Sequence, residues 1–340
     1  MSPNRRFCWV LWFSAHQGLG TDDAGGMDAL EVAARTSWGL CADPGDRFAY
    51  AFCQAEGLVG ALARLRSRDS PRAIALSLSG LIDSDESLTT QITSWRARDS
   101  TEKTALSLST GAARGVRVLG ENDSAWPPAL ADLGDHQPLS LWCEGEIALL
   151  QATRGWVGVV GSRRASPAGV SATRSLVVPD VLGERGVVSG GASGIDTAAH
   201  HAALERSIPT VAVVAGGLDR LYPTENLGMF ARIARAGVVV AEAPCGVRPV
   251  PWRFLERNRL IAALSSVLVV VEAAHRSGAL NTAHHGAVLG REVAVVPGRW
   301  SDPLSAGCWR LVREQSAGVL SEPRDLAWLG DGAPGFSTEV

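Results

Sequence analysis

Trp156-Val-Gly-Val-Val-Gly-Ser-Arg163 and, further on, Val187-Val-Ser-Gly-Gly-Ala-Ser-Gly-Ile-Asp196 are the two passages on which the reading of the fold turns. Each is a short apolar run that closes in glycine and small polar residues, and the second opens into a helix-like segment. A strand that ends in glycines and feeds a helix presents free backbone N–H groups and the positive end of a helix dipole. Such a place suits an anion, usually a phosphate. Two of them about thirty residues apart have the βαβ spacing of a doubly wound sheet.

The pattern continues downstream. Apolar runs at 156–160, 187–188, 211–214, 238–241, 267–271 and 293–296 alternate with helix-length segments. Uninterrupted β-branched stretches such as Val267-Leu-Val-Val-Val271 fit strands buried on both faces. The fold class is α/β, an extended Rossmann-like, doubly wound and mostly parallel sheet. Upstream, Gly115–Leu119 and Leu139–Trp142 read as two further strands, with Trp126–Leu130 a turn into a short helix. Residues 47–66 carry Phe48, Phe52, Leu58, Leu62 and Leu65 at helical spacing behind an Asp46 N-cap. Residues 67–90 read as polar and punctuated, and 91–113 as helical again. The expected organisation is a small helical accessory domain over 1–110, with 1–45 poorly defined, the Rossmann-like domain over 115–322, and a short tail over 323–340 without a winged helix.

With 340 residues, 46% of them apolar, the chain can bury a full core and has room for two domains. Its formal charge is −3, yet residues 151–322 hold 18 basic against 13 acidic side chains, an excess of +5 in the half that carries the glycine loops. Apart from Lys103 every cationic side chain is arginine, the better bidentate partner for phosphate. Cys8, Cys41, Cys53, Cys143, Cys245 and Cys308 have neither CxxC pairing nor a regular disulfide spacing and read as reduced thiols of a cytoplasmic protein. No run reaches the length of a membrane span. Arg5-Arg6 before Phe7–Ala15 is Trp-rich, short and without a small-residue cleavage site, so it reads as an ill-defined N-terminus or a core segment rather than an export signal.

Four clusters fall at carboxyl ends of expected strands, where open α/β sheets bind ligands. Gly161-Ser162-Arg163 offers close backbone approach, a hydroxyl and a charged fork, or else a tight turn with an incidental arginine. In Ser189–Asp196 the S-x-x-D spacing of Ser193 and Asp196 is that of a capping box, which leaves the glycines free to admit phosphate. Trp252-Arg-Phe-Leu-Glu-Arg-Asn-Arg259 interleaves arginines with aromatics, as suits a single strand whose backbone follows charge and whose bases stack on rings. The plainer alternative is a helix start whose aromatics face the core. The fourth is the turn from Glu272 to Ala283. Its His275, with His284 and His285, lacks a metal-binding spacing, and no metal or cofactor is expected.

Taken in order, Gly161-Ser-Arg163, Ser189–Asp196 with Ala198-Ala-His200, Gly217–Asn226 and Arg257–Ala262 form a series. It continues through Glu272-Ala-Ala, Arg276–Ala283 and Gly290–Gly298. This series resembles the DNA processing protein A family (DprA, also called Smf) over roughly residues 115–320. The resemblance implies a cytoplasmic, non-enzymatic protein that binds single-stranded DNA. Such a protein protects incoming strands during natural transformation, helps load the RecA recombinase onto them, and forms a homodimer. It also implies that Gly161, Ser162 and Arg163 hold a backbone phosphate and that Arg257, Asn258 and Arg259 line the same pocket. Phe254 would stack on a base, and Gly190, Gly191, Ser193 and Gly194 would form the opposing loop. Ser193 departs from the bulky or basic residue frequent at that place in the family.

Two enzymatic readings compete. A nucleotide-cleaving phosphoribohydrolase of the related Rossmann-like group would carry a PGGxGTxxE run, of which only Pro297-Gly298 is present. An NAD-dependent oxidoreductase would need GxGxxG and an acidic end to the second strand, where Ser189 and glycines stand instead.

Overall fold

The computed structural model describes residues 27–78, 85–151 and 155–329. The Arg5–Ala15 segment, Cys8 and the chain after Leu329 lie outside them. The sheet has nine strands among the described residues, in the order β1-β2-β6-β5-β4-β3-β7-β8-β9. β1 (Arg117–Leu119) and β2 (Leu141–Gly145) are antiparallel, β2 joining β6. β3 (Trp156–Val160), β4 (Gly186–Ser189), β5 (Thr210–Val214), β6 (Val238–Ala241), β7 (Ser265–Val270), β8 (Glu292–Val295) and β9 (Gly318–Val319) run parallel. The expected α/β, mostly parallel sheet is therefore what forms. Each apolar run read from the sequence lies on one of these strands or runs one residue past its end.

The runs are uninterrupted because both faces are covered. Val157, Val159, Val267 and Val269 point into one core, while Val160, Leu268 and Val270 point into the other. The chain winds outward from β3 through β4 and β5 to β6, then returns to place β7 on the other side of β3. The order reverses between β3 and β7. Their carboxyl ends therefore flank the crevice where such sheets take ligands.

Helices α1 (Ala29–Cys41), α2 (Arg47–Glu56), α3 (Leu58–Leu65), α4 (Pro71–Ser77), α5 (Asp85–Arg98) and α6 (Thr101–Ala113) precede the sheet. Asp46 caps α2 as expected, accepting from the Phe48 and Ala49 N–H groups. The single helical stretch expected over 47–66 is broken at Gly57, whose φ of 70° and ψ of 151° suit only glycine. Residues 67–90 are also more helical than their polarity suggests. Ser70 accepts from Ala73 N and Pro71 occupies the first turn of α4, an N-terminal signature legible in the sequence.

Trp38, Phe52 and Trp95 pack with centroids 5.5 to 6.3 Å apart at the centre of this region. Ala33 of α1 and Leu108 of α6 share a second core with Trp142, Val214, Phe230 and Val239, so the helices rest on the antiparallel edge of the sheet. The remaining elements are α7 (Pro167–Leu176), α8 (Pro179–Leu182), α9 (Ile195–Glu205), α10 (Leu227–Ala236), α11 (Pro251–Leu264), α12 (Gly278–Val288) and α13 (Ala306–Gln315). After β9, Pro323–Trp328 forms a 3-10 turn that packs on α8. There Arg185 donates to the Leu326 and Leu329 carbonyls. Cys41, Cys53, Cys143, Cys245 and Cys308 are buried free thiols. No described helix is long and apolar enough to cross a membrane.

His200, on α9, is fully buried with Nδ1 2.8 Å from the Thr210 hydroxyl, and its Nε2 has no hydrogen-bond partner. Burial above all, then the charges of His201 and Arg257, push its pKa from 6.5 down to about 3. Between those values the unfolded chain binds a proton that the native protein refuses, so stability falls as pH falls. The loss should reach about 1.4 kcal/mol per pH unit. Urea unfolding at stepped pH should show this slope below neutrality, and His200→Asn should flatten it.

Candidate nucleic-acid interface

The crevice is built from loops that the strands deliver to one edge. After β3, Gly161 packs on Ile195, and the buried Ser162 hydroxyl accepts from Arg164 N at 3.1 Å. After β4, the Gly190–Gly194 loop turns into α9. The two loops are joined: Ile195 N donates to Ser162 O at 3.1 Å, and a methyl group on Gly194 would overlap that same carbonyl. Gly194 also has φ 87°, so only glycine serves there. Its place is explained by this approach between loops.

The S-x-x-D capping box does not form. Gly194 is the N-cap of α9 and has no side-chain cap. The Ser193 hydroxyl donates instead to Glu225 at 3.1 Å. Asp196 turns back under its own loop and accepts from Ala192 N at 3.3 Å. Burial raises its pKa, opposed by Arg257, the backbone of Ala192 and Gly190, and Arg163.

α11 carries the third cluster, and its geometry separates the residues grouped by the sequence reading. Successive helical side chains are 100° apart, so residues 257, 258 and 259 cannot face one pocket. The structure does not bring them together. Arg257 is buried beneath the glycine loop, donating to the carbonyls of Gly190, at 2.8 Å, and Val213. A methyl on Gly190 would stand 2.6 Å from its guanidinium. Desolvation lowers its pKa to about 10, against the stabilising charge of Asp196. Asn258 reaches Asn281 at 3.0 Å and ties α11 to α12. Arg259 points to the helical region, forming a bidentate pair with Glu242 at 2.8 Å on each arm. Glu242 also accepts from Gly45 N at 3.2 Å, and Arg259 donates to His136 O. These three side chains support the site from within; they are not open to a ligand at its surface.

Arg163 and Phe254 do come together. The exposed Arg163 guanidinium lies over the Phe254 ring at 5.4 Å, and Tyr222 meets the same ring edge-on at 5.8 Å. Tyr222 belongs to the Gly217–Asn226 motif, lies outside the site residues that the sequence suggests, and is 51% exposed. Two residues earlier on α11, and so on a different face of the helix, the exposed Trp252 lies under the Arg253 guanidinium at 4.6 Å. Arg163 and its neighbour Arg164 have no ion pair among the described residues. The surface thus offers free arginines beside rings that remain open to stacking.

The sequence pattern of the DNA recombination-mediator protein A family matches residues 117–329. The chain belongs to that family. A Mycobacterium tuberculosis relative bearing the DprA name is 44% identical over 210 residues, covering 59% of this chain and 54% of its own length. The chain thus spans about half the length of that relative. The DNA processing protein DprA of Streptococcus pneumoniae is 38% identical over 205 residues, 60% of this chain and 71% of that one. The X-ray structure of DprA from that organism superposes with a TM-score of 0.69 at 27% identity, covering 88% of this chain and 97% of that one. A Helicobacter pylori DNA processing protein A structure, described by its single-stranded DNA binding mode, superposes with a TM-score of 0.56 at 29% identity. It covers 62% of this chain and 94% of that one.

The Arg259–Glu242 pair gives a stability prediction. Both side chains are mostly buried, 4% and 14% exposed. Removing one partner strands the other, at a cost of about 3–5 kcal/mol. Arg259→Ala should lower the unfolding free energy by that order, measured by urea denaturation, and Arg259→Met with Glu242→Leu should recover much of it.

Proposed function

We propose that the protein is a non-enzymatic recombination mediator that binds single-stranded DNA at the β3–β4 edge. In this reading it protects incoming strands during DNA uptake, helps load RecA onto them, and works as a homodimer in the cytoplasm. The observation that carries the reading is the Arg163–Phe254–Tyr222 constellation beside the switch point. A guanidinium free to meet a phosphate adjoins rings that can stack on an unpaired base, and duplex DNA keeps its bases stacked inside.

In this proposal Arg163 contacts the backbone with the Gly161 and Ser162 turn, and Phe254 receives a base. The Gly190–Gly194 loop with Ser193 forms the opposing wall, and Arg257 holds that wall in shape. Asn258 and Arg259 act through the position of α11. The carboxylates a nucleotide-cleaving enzyme would need are committed elsewhere, which supports the non-enzymatic reading. Asp196 is bound to its own loop, and Glu272 accepts from the Ser166 N–H and hydroxyl at the start of α7.

Binding should be tested by gel shift and anisotropy with single- and double-stranded oligonucleotides at two salt concentrations. The expected result is preference for the single strand and affinity that falls steeply with salt. Arg163→Ala should weaken binding and make the log–log salt slope shallower by about 0.7, the share of one single-strand phosphate. Phe254→Ala should cost about 1–3 kcal/mol with little change in that slope. Retention of duplex over single strand, or wild-type affinity in both variants, would remove the assignment.

A further inference from the structure

We propose that the single-strand path continues across the switch point onto the β7 and β8 loops. There Trp300 is a second base-stacking platform, and Arg276 and Arg299 take the accompanying phosphates. The proposal rests on the single-strand reading of the β3–β4 edge and adds a subsite on the other side of β3.

The loops after β7 and β8 are neighbours of the Arg163 turn in the sheet order β4-β3-β7-β8. With strands about 4.8 Å apart, β8 stands only about 10 Å from β3. The turns are physically joined. Glu272, at the end of β7, is the acceptor for Ser166 at 3.0 Å from its N–H, which ties the β7 loop to the one carrying Arg163 and Arg164. Ala273 N donates to Leu304 O and Gly307 N to Ala273 O, both at 2.7 Å, which ties the β7 loop to the β8 loop.

Trp300 sits on a built turn. Asp302 N donates to Arg299 O at 2.9 Å, Leu304 N to the Asp302 carboxylate at 2.8 Å, and the Trp309 indole to Gly298 O at 3.1 Å. From this hydrogen-bonded frame the Trp300 side chain stands 88% exposed, the most exposed of the large hydrophobic side chains among the described residues. Arg276 and Arg299 are both exposed, and their guanidinium groups have no hydrogen bond or ion pair among the described residues. The two nearby carboxylates are spent on backbone, Glu272 on Ser166 and Asp302 on Leu304. An exposed indole on a hydrogen-bonded turn, in the same loop set as two guanidiniums without ion pairs among the described residues, repeats the chemistry of Phe254 and Arg163. It suits the next bases of an unpaired strand.

The test compares oligothymidylates of about 5 and about 15 nucleotides by anisotropy, on wild type, Trp300→Ala and Trp300→Phe. The short probe fills the Arg163 crevice, and the long one also reaches the β7–β8 loops. Wild type should gain affinity with length. Trp300→Ala should bind the short probe as wild type does and the long one about tenfold more weakly, and Trp300→Phe should keep most of the gain. Arg276→Ala with Arg299→Ala should lower the salt slope for the long probe only. An undiminished gain in Trp300→Ala, or equal weakening at both lengths, overturns the proposal. Failure of wild type to bind either probe overturns the single-strand reading itself, and this subsite with it. Trp300 is solvent-exposed, so unchanged melting of its variants confirms that they fold.

Discussion

Arg257, buried beneath a loop of glycines with Asp196 beside it, is the interaction on which the binding edge depends. Burying a guanidinium costs several kcal/mol unless its donors are met. Here the Gly190 and Val213 carbonyls accept from its Nη1, its Nε is left without a partner among the described residues, and the charge of Asp196 opposes the desolvation. The same carboxylate accepts from Ala192 N, so the loop is held through both its carbonyl and its amide groups. Its shape fixes Gly194 against Ser162, and Ser162 in turn fixes the root of Arg163. A buried charge pair thereby sets where an exposed charge stands.

The positive character of the edge comes from pairing more than from number. Arg114, Arg174, Arg291 and Arg310 each sit against a carboxylate elsewhere on the surface. At the carboxyl ends of β3, β7 and β8, Arg163, Arg164, Arg276 and Arg299 have no such partner among the described residues. Local acids there are occupied by backbone amides and a serine hydroxyl. An anion meeting this edge does not have to displace an internal counter-charge from the described residues.

Much of the fold was legible because its signals are local. The valine runs announced β3, β5, β6 and β7, since strands covered on both faces need no polar alternation. Asp46 announced α2 by its capping chemistry. The departures have equally local causes: Gly57 breaks one expected helix, and Ser70-Pro71 starts another in a stretch that looks too polar. Tyr222 was readable as part of a motif. Its meeting with Phe254 was not, because the two lie on different connections, one after β5 and one on α11.

By itself the sequence determined the sheet class, the strand positions and the family resemblance. Each of these is written in contiguous residues or in their order along the chain. Only the tertiary structure decided which side chains reach the surface. It sent Arg257 under the loop, Asn258 to α12 and Arg259 to Glu242, because a helix turns 100° at every residue. Asp196 likewise serves the loop backbone and forms no capping box with Ser193, since Gly194 must sit against Ser162. The glycines that suggested a phosphate cradle hold two loops in contact, and the contact leaves Arg163 exposed at the edge proposed for the strand.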